Sequence, residues 1–313
     1  MRMKSTAPAL MSAVALAGAS VAGCGGQSSA AVARVGARRA PVAKPAVAPK
    51  PQPPALVVSP VREAGPEWRV VARVRGQAAA WEAKRAGVTL LRFDQHFVRL
   101  DLHAGEGEPS GTWRYGARIE PSEIHRVVAA FNGGFKFSTG AVGWMVGGRV
   151  AVPLRVGRGS IVTYTDGTTA IGAWGQGVPA AGRQVYSVLQ NLSLLVDHGL
   201  VTSSAASCIQ GCWGATVGNA DVVARSSLGV TQAGELVWAA GERLTPATLA
   251  HALVGAGVQR AVQLDINPDW VAGYLYQHGG SGPVGAPVVP EQLGIKGRFL
   301  APFTRDFFAV VAR

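Results

Sequence analysis

Three residues set far apart in this 313-residue chain, Asn132, Arg225 and Asp265, could together act on a sugar phosphate. Breaking a bond at an anomeric carbon needs a carboxylate beside that carbon, as nucleophile, base or electrostatic stabiliser of oxocarbenium character. A departing phosphate needs a cation or amide donors, and a guanidinium meets it with two parallel hydrogen bonds. Asp265 is the candidate carboxylate and Arg225 the candidate phosphate ligand. Asn132 runs into Gly133 and Gly134, which allow positive φ and close approach of backbone N–H groups to a ligand. These three would orient the sugar or a leaving oxygen, although the same residues also make an ordinary turn. For Arg225 and Asp265 the plain alternative is a buried ion pair between neighbouring strands.

The elements that must position them follow from pattern. Ala224 to Thr231 alternates, with Leu228 and Val230 on one side and Arg225, Ser227 and Gly229 on the other, as in a half-buried strand. Gln232-Ala233-Gly234-Glu235 turns the chain, and Leu236-Val237-Trp238-Ala239 returns it as a hairpin. Thr245-Pro246 starts a helix with an N-cap hydroxyl and a proline at the first helical position. Leu249 and Leu253 share one face of it, and Gly255 or Gly257 can close it. The chain re-enters a strand at Ala261–Asn267. Val262, Leu264 and Ile266 face the core, so Gln263, Asp265 and Asn267 emerge together on the opposite side. Gln263 and Asn267, with Ser226 and Asp269, are therefore candidate substrate contacts. Pro268 turns the chain just past the strand, so Asp269 is either a second carboxylate or a solvent-exposed turn residue.

Phe131-Asn132-Gly133-Gly134-Phe135, Arg225-Ser226-Ser227-Leu228-Gly229, Leu244-Thr245 with its helix, and Gln263-Leu264-Asp265 occur in that order. Over roughly residues 85–280 the sequence resembles the phosphodiester glycosidase family, the group related to the lysosomal enzyme that removes N-acetylglucosamine from a sugar phosphodiester. The resemblance implies that fold, a glycan or sugar-phosphate substrate, and roles for Asn132, Gly133, Gly134, Arg225 and Asp265 in the site. Ile266-Asn267-Pro268-Asp269-Trp270 stands where the family carries a glycine-rich turn, so a shared fold follows more directly than shared catalysis.

The N-terminal sixty residues have another character. Arg2 and Lys4, an alanine-rich apolar run and Val21-Ala22-Gly23-Cys24 read as a lipoprotein-type export signal over residues 1–24, with Cys24 the lipidated residue. An ordinary cleaved signal with a coincidental cysteine is the alternative. Each buried lipid methylene contributes about 0.8 kcal/mol, so two or more chains anchor stably to a membrane. Residues 25–62 are rich in proline and alanine, and no Asp or Glu occurs in the first sixty positions. Such a stretch cannot bury enough apolar surface to offset its ordering entropy and reads as a disordered basic tether. Seven cationic residues, from Arg2 to Lys50, lie in this region out of a net charge of +12. The remainder is only mildly basic, so no nucleic-acid partner is implied.

Residues 63–313 are enough for one sizeable core. Abundant glycine and few helical periods indicate an α+β domain of many short strands in antiparallel or mixed sheets with a few flanking helices. Trp68–Val74 is one strand, and Gly87–His103 holds two that meet near Asp94-Gln95. Val98, Leu100 and Leu102 share one face with His96, and His103 lies on the other. Pro121–Ala130 reads as a short helix leading into the next strand. Ile161-Val162-Thr163-Tyr164-Thr165 and Thr168-Thr169-Ala170-Ile171 flank Asp166-Gly167 as a hairpin. Tyr186–Val196 is a further strand region closed by Asp197-His198-Gly199. Cys208 and Cys212, alone after Cys24, are spaced for a local disulfide in an exported protein. Two thiols with no nearby third ligand do not make a zinc site.

Metalloprotease, phosphate-loop and lipase motifs are absent from the sequence. No cofactor is indicated, and nothing in the sequence supports a divalent metal. Two functions fit: an exported, lipid-anchored hydrolase of a sugar-1-phosphodiester, or a non-catalytic envelope glycan-binding lipoprotein. The latter would use Trp270, Tyr274 and Tyr276 as platforms for sugar rings; packing of these aromatics in the core is the alternative.

Overall fold

Short runs of β-branched, aromatic and alanine residues between glycine-containing turns build three sheets. The computed structural model describes residues 65–208, 211–279, 282–290, 292 and 297–313. The signal, Cys24 and the tether assigned to residues 1–62 lie outside the described residues.

The largest sheet has eight strands in the order Arg69–Val74, Gln77–Arg85, Val88–Phe93, Leu236–Leu244, Val223–Thr231, Val258–Gln263, Leu194–Asp197 and Leu200–Val201. A six-stranded sheet orders Gly177–Val178, Thr169–Trp174, Gly159–Tyr164, Val185–Gln190, Gly143–Val146 and Arg149–Val152. The third has five: Gly282–Pro287, Gly273–Gly279, Val127–Asn132, Phe307–Ala312 and Val98–His103. Pairing is antiparallel except where Gly177–Val178 runs parallel to Thr169–Trp174. With the helices Ser203–Ser207 and Pro246–Gly255, this is the α+β architecture expected.

Phe131 joins two sheets in the core. Its ring lies 5.5 Å from Trp238 and 6.4 Å from Phe93 of the large sheet, and 5.7 Å from Phe308 of its own. Burying such aromatics anchors the strand that ends at Asn132. On the opposite face of the large sheet, Leu249 and Leu253 of the longer helix are fully buried. Thr245 caps that helix by accepting from the Thr248 amide, Pro246 fills its first turn, and Gly257 leaves it at φ +84°.

Several expectations change. Val223–Thr231 is buried on both faces rather than half-buried, because it lies in mid-sheet with apolar packing on each side. Residues 121–126 form turns instead of the short helix expected over Pro121–Ala130. The two strands of Gly87–His103 belong to different sheets, as do Val185–Gln190 and Leu194–Asp197. His96 sits exposed in the connecting turn, with Nδ1 2.7 Å from Asp94 Oδ1, instead of on the apolar face. Tyr274 and Tyr276 are buried in the core of the five-stranded sheet, and the Tyr276 hydroxyl donates to the Arg298 carbonyl. They are closed to a sugar ring.

Candidate active-site cleft

The Asn132-Gly133-Gly134 segment is a junction between strands. The Gly133 amide donates to the Asp306 carbonyl at 3.1 Å, while its carbonyl accepts from the Asp265 amide at 3.1 Å. A Cβ on Gly133 would stand 2.6 Å from both the Asp306 carbonyl oxygen and its Cγ, so close backbone approach requires glycine here. Asn132 Nδ2 donates to Ser226 Oγ at 2.9 Å, and Ser226 Oγ donates to the Asp265 carbonyl at 2.9 Å. Asn132, Gly133, Ser226 and Asp265 thus converge, but Asn132 and Ser226 are buried and spend their polar groups on one another and on the backbone. They form the support under Asp265.

Asp265 itself reaches a cleft of about 920 Å³. Its Oδ1 accepts from the amides of Ile266 at 2.7 Å and Asn267 at 2.9 Å, which fixes the carboxyl plane. Its Oδ2 lies 3.4 Å from Arg305 Nη2. Burial pushes the Asp265 carboxyl above the ordinary range, opposed by the Asn267 amide and the Arg305 guanidinium. Asn267 and Asp269 also line the cleft, and the Asp269 amide donates to Asn267 Oδ1 at 2.9 Å, forming the tight turn that Pro268 announces. Trp270 lines it too, with the Arg305 guanidinium 5.7 Å from its ring.

Arg225 and Gln263 lie elsewhere. Arg225 is 1% exposed and outside the cleft lining. Its Nε donates to the Leu244 carbonyl at 2.9 Å, Nη1 to Gln263 Oε1 at 3.0 Å, and Nη2 approaches the Asp221 carbonyl at 3.4 Å. Gln263 Nε2 in turn donates to the Trp213 carbonyl at 3.0 Å. Burial brings the Arg225 pKa down to about 10, with Asp221 opposing. Arg225 is not the ion-pair partner of Asp265 either. It braces the loop 211–221, whose Gly211, Gly214 and Thr216 form one wall of the cleft. The Cys208–Cys212 disulfide closes the start of that loop.

The cations at the cleft are Arg305 and Lys136. Arg305 Nη2 donates to the Gly134 carbonyl at 3.0 Å, and Nε stands 3.6 Å from Glu108 Oε2. Neither Nε nor Nη1 has a hydrogen-bond partner among the described residues. Lys136 is exposed and close enough to favour the charged form of Asp265. Sequence reasoning missed both. The signals were present: Lys136 directly follows the Gly133-Gly134-Phe135 turn, and Arg305-Asp306 is a charged pair at the mouth of an apolar strand. Asp306 is fully buried behind Gly133 and Gly134, and burial raises its pKa to about 7. Among the described residues no group of three or more His, Cys, Asp or Glu could hold a metal ion.

No protein-family model matches the sequence, and no curated protein does. Among solved structures, the chain is similar to the zebrafish N-acetylglucosamine-1-phosphodiester alpha-N-acetylglucosaminidase catalytic domain, auto-inhibited by its pro-peptide. The identity is 13% over 80% of this chain and 88% of that one, with a TM-score of 0.47. It is also similar to a hypothetical protein from Synechocystis, at 12% identity over 79% of this chain and 64% of that chain, TM-score 0.45. A protein described as exported, from Burkholderia pseudomallei, is similar at 11% identity over 75% of each chain, TM-score 0.32.

Proposed function

We propose that this protein is an extracytoplasmic hydrolase that splits a sugar-1-phosphodiester, with Asp265 as the carboxylate at the anomeric carbon. The observation that carries the reading is the placement of Asp265: its Oδ1 is held by two amides and its Oδ2 lies beside a guanidinium at the cleft. Preorganised carboxylates of this kind stabilise oxocarbenium character or accept a proton from attacking water. Burial that raises the Asp265 pKa makes it a better proton acceptor near neutral pH. In the reaction the bond between the anomeric carbon and the phosphate oxygen breaks, and its electron pair leaves with the phosphate monoester. Water oxygen bonds to the carbon, and the water proton passes to Asp265. A phosphate departs as a stable anion, so one carboxylate with nearby cations suffices where an ordinary glycosidase needs a second carboxylic acid.

The Cys208–Cys212 disulfide supports an oxidising, extracytoplasmic setting. Lipid anchoring through Cys24 belongs to the same proposal, and loss of radiolabelled palmitate incorporation in Cys24→Ser tests it. The enzymatic reading is tested with the purified chain on a panel of N-acetylglucosamine phosphodiesters, with Asp265→Asn as control. Sugar release lost in that variant supports it. The glycan-binding alternative retains one support, Trp270 on the cleft wall; saturable glycan binding without product at any pH or added metal would favour it instead.

A further inference from the structure

A second, smaller hollow opens on the surface apart from the cleft. It encloses about 320 Å³, and its lining includes Pro109, Ser110, Trp113, Phe137, Arg149 and Val150. Its parts are held in place. Trp113 packs edge-on at 4.5 Å against the fully buried Trp144, and its indole N–H donates to the Ser110 carbonyl at 3.0 Å. The Arg149 guanidinium lies 3.4 Å from the centroid of the Trp113 ring, and its Nη2 donates to the Thr112 carbonyl. A guanidinium carries five N–H donors, and this contact uses one of the two on Nη2. Whichever of the two is spent, one complete two-donor edge remains, in a plane set by the ring beneath it. Such an edge matches the two oxygens of a carboxylate.

The local charge favours an anion. Arg149 is the one charged residue in the lining among the described residues. The segments that carry the lining, residues 106–114, 136–140 and 149–155, hold Arg114, Lys136, Arg149 and Arg155 against Glu106 and Glu108. Glu108 is already engaged, its Oε2 accepting from the Phe137 amide at 3.0 Å and lying 3.6 Å from Arg305 Nε. The volume is at the lower end for small-molecule sites and suits one ring-sized unit. Trp113, Phe137 and Val150 give it apolar walls. An amphipathic ring bearing one carboxylate satisfies both the walls and the guanidinium edge.

We infer that this hollow binds a carboxylate-bearing sugar ring, a uronate, through the open edge of Arg149. Nothing in that binding requires the chemistry proposed for the cleft. The two are neighbours: Phe137 lines the hollow, while Lys136 and Thr139 of the same turn line the cleft. An acidic oligosaccharide seated in the hollow therefore reaches the cleft across a single turn of chain, and this second step rests on the function proposed above.

Titration of the full chain with methyl glucuronide, its neutral counterpart methyl glucoside, and acetate, followed by ligand-observed NMR at pH 7, tests it. The glucuronide is expected to bind about tenfold more tightly than either of the others, since the glucoside lacks the charge-assisted pair and acetate lacks the ring. Arg149→Gln, an exposed substitution, removes that advantage. Arg149→Lys, which keeps the charge but not the fork, retains only part of it. Asp265→Asn leaves the glucuronide affinity unchanged. Equal binding of glucuronide and glucoside overturns the inference, and so does acetate bound as tightly as glucuronide. Glucuronide affinity that falls with Asp265→Asn rather than with Arg149→Gln puts the ligand in the cleft and overturns it too. Glucuronide bound as described by a chain that turns over no sugar phosphodiester leaves the hollow standing and removes the hydrolase reading. Turnover with no glucuronide preference does the reverse.

Discussion

Asp265 presents two unlike oxygens: Oδ1 accepts from the Ile266 and Asn267 amides, while Oδ2 lies 3.4 Å from Arg305 Nη2. An asparagine keeps an acceptor for the two amides and removes only the charge and the proton-accepting oxygen. Asp265→Asn therefore lowers kcat at least about a hundredfold on a sugar phosphodiester while its melting temperature stays near wild type. Parallel kinetics and thermal denaturation check both halves. A large drop in melting temperature would assign Asp265 a structural rather than a chemical role.

Arg225 behaves in the opposite sense. Its removal strands Gln263 Oε1 and the Leu244 carbonyl in the interior. Arg225→Met destabilises the domain by about 3 kcal/mol, the scale for unmatched buried partners. Turnover of a sugar phosphodiester, measured well below the unfolding transition, is retained within a few-fold. Urea denaturation and steady-state kinetics separate the two effects.

The two glycines after Asn132 make a paired prediction. At Gly133 a Cβ meets Asp306 backbone and carboxyl atoms at 2.6 Å, whereas at Gly134 its nearest neighbour is Leu189 Cδ1 at 3.4 Å. Gly133→Ala forces the Asp306 strand away and costs on the order of 2 kcal/mol, with activity lost alongside. Gly134→Ala stays within about 1 kcal/mol of wild type. Denaturant midpoints rank the pair, and a reversed order would refute the close-approach argument.

What could be read from residue order was local. The hairpin at Gly234 and the Thr245-Pro246 helix start each carry their signal within a few residues, and both are present; the strand expected over Ala261–Asn267 runs instead over Val258–Gln263, so Asp265 lies in the irregular stretch just beyond its end. Asn132, at the end of its strand, does meet Asp265, but through Ser226 in mid-strand, and Arg225, expected to join them, does not. The duties of these residues were not legible. Alternation places Arg225 on a polar face, but only the full sheet order shows that this face is covered, so the guanidinium ends on Gln263 and two carbonyls. Arg305 comes from the bend that enters the strand Phe307–Ala312 and Lys136 from the loop after a glycine turn. Their meeting beside Asp265 depends on long-range pairing that no local period encodes.

Asp306 sets a pH dependence of stability. Burial raises its folded pKa to about 7 from an ordinary 3.8, so the folded state holds a proton that the unfolded chain releases. Its contribution is complete below about pH 4 and is lost as pH rises towards 7, at most on the order of 4 kcal/mol. His103 acts oppositely over much of this window. Buried and stacked on Phe307, its pKa falls to about 4, so it removes stability as pH drops below 6.5. The wild-type profile alone mixes the two. The difference between wild type and Asp306→Asn isolates the first: the variant gains relative stability between pH 4 and 7. Chemical denaturation at four or five pH values measures it, and a flat difference would place the Asp306 proton elsewhere.

The Cys208–Cys212 bond lies at the flank of the cleft, not in any of the three sheets. Trp213, the residue after the bond, is buried in the same cluster as Leu249 and Leu253 and donates its indole N–H to the Ser204 carbonyl. The wall carrying Gly211 is therefore fastened twice, once by sulfur and once by an aromatic anchor in the interior. Reduction removes only the first fastening, so it loosens the rim of the cleft more than the sheets beneath it.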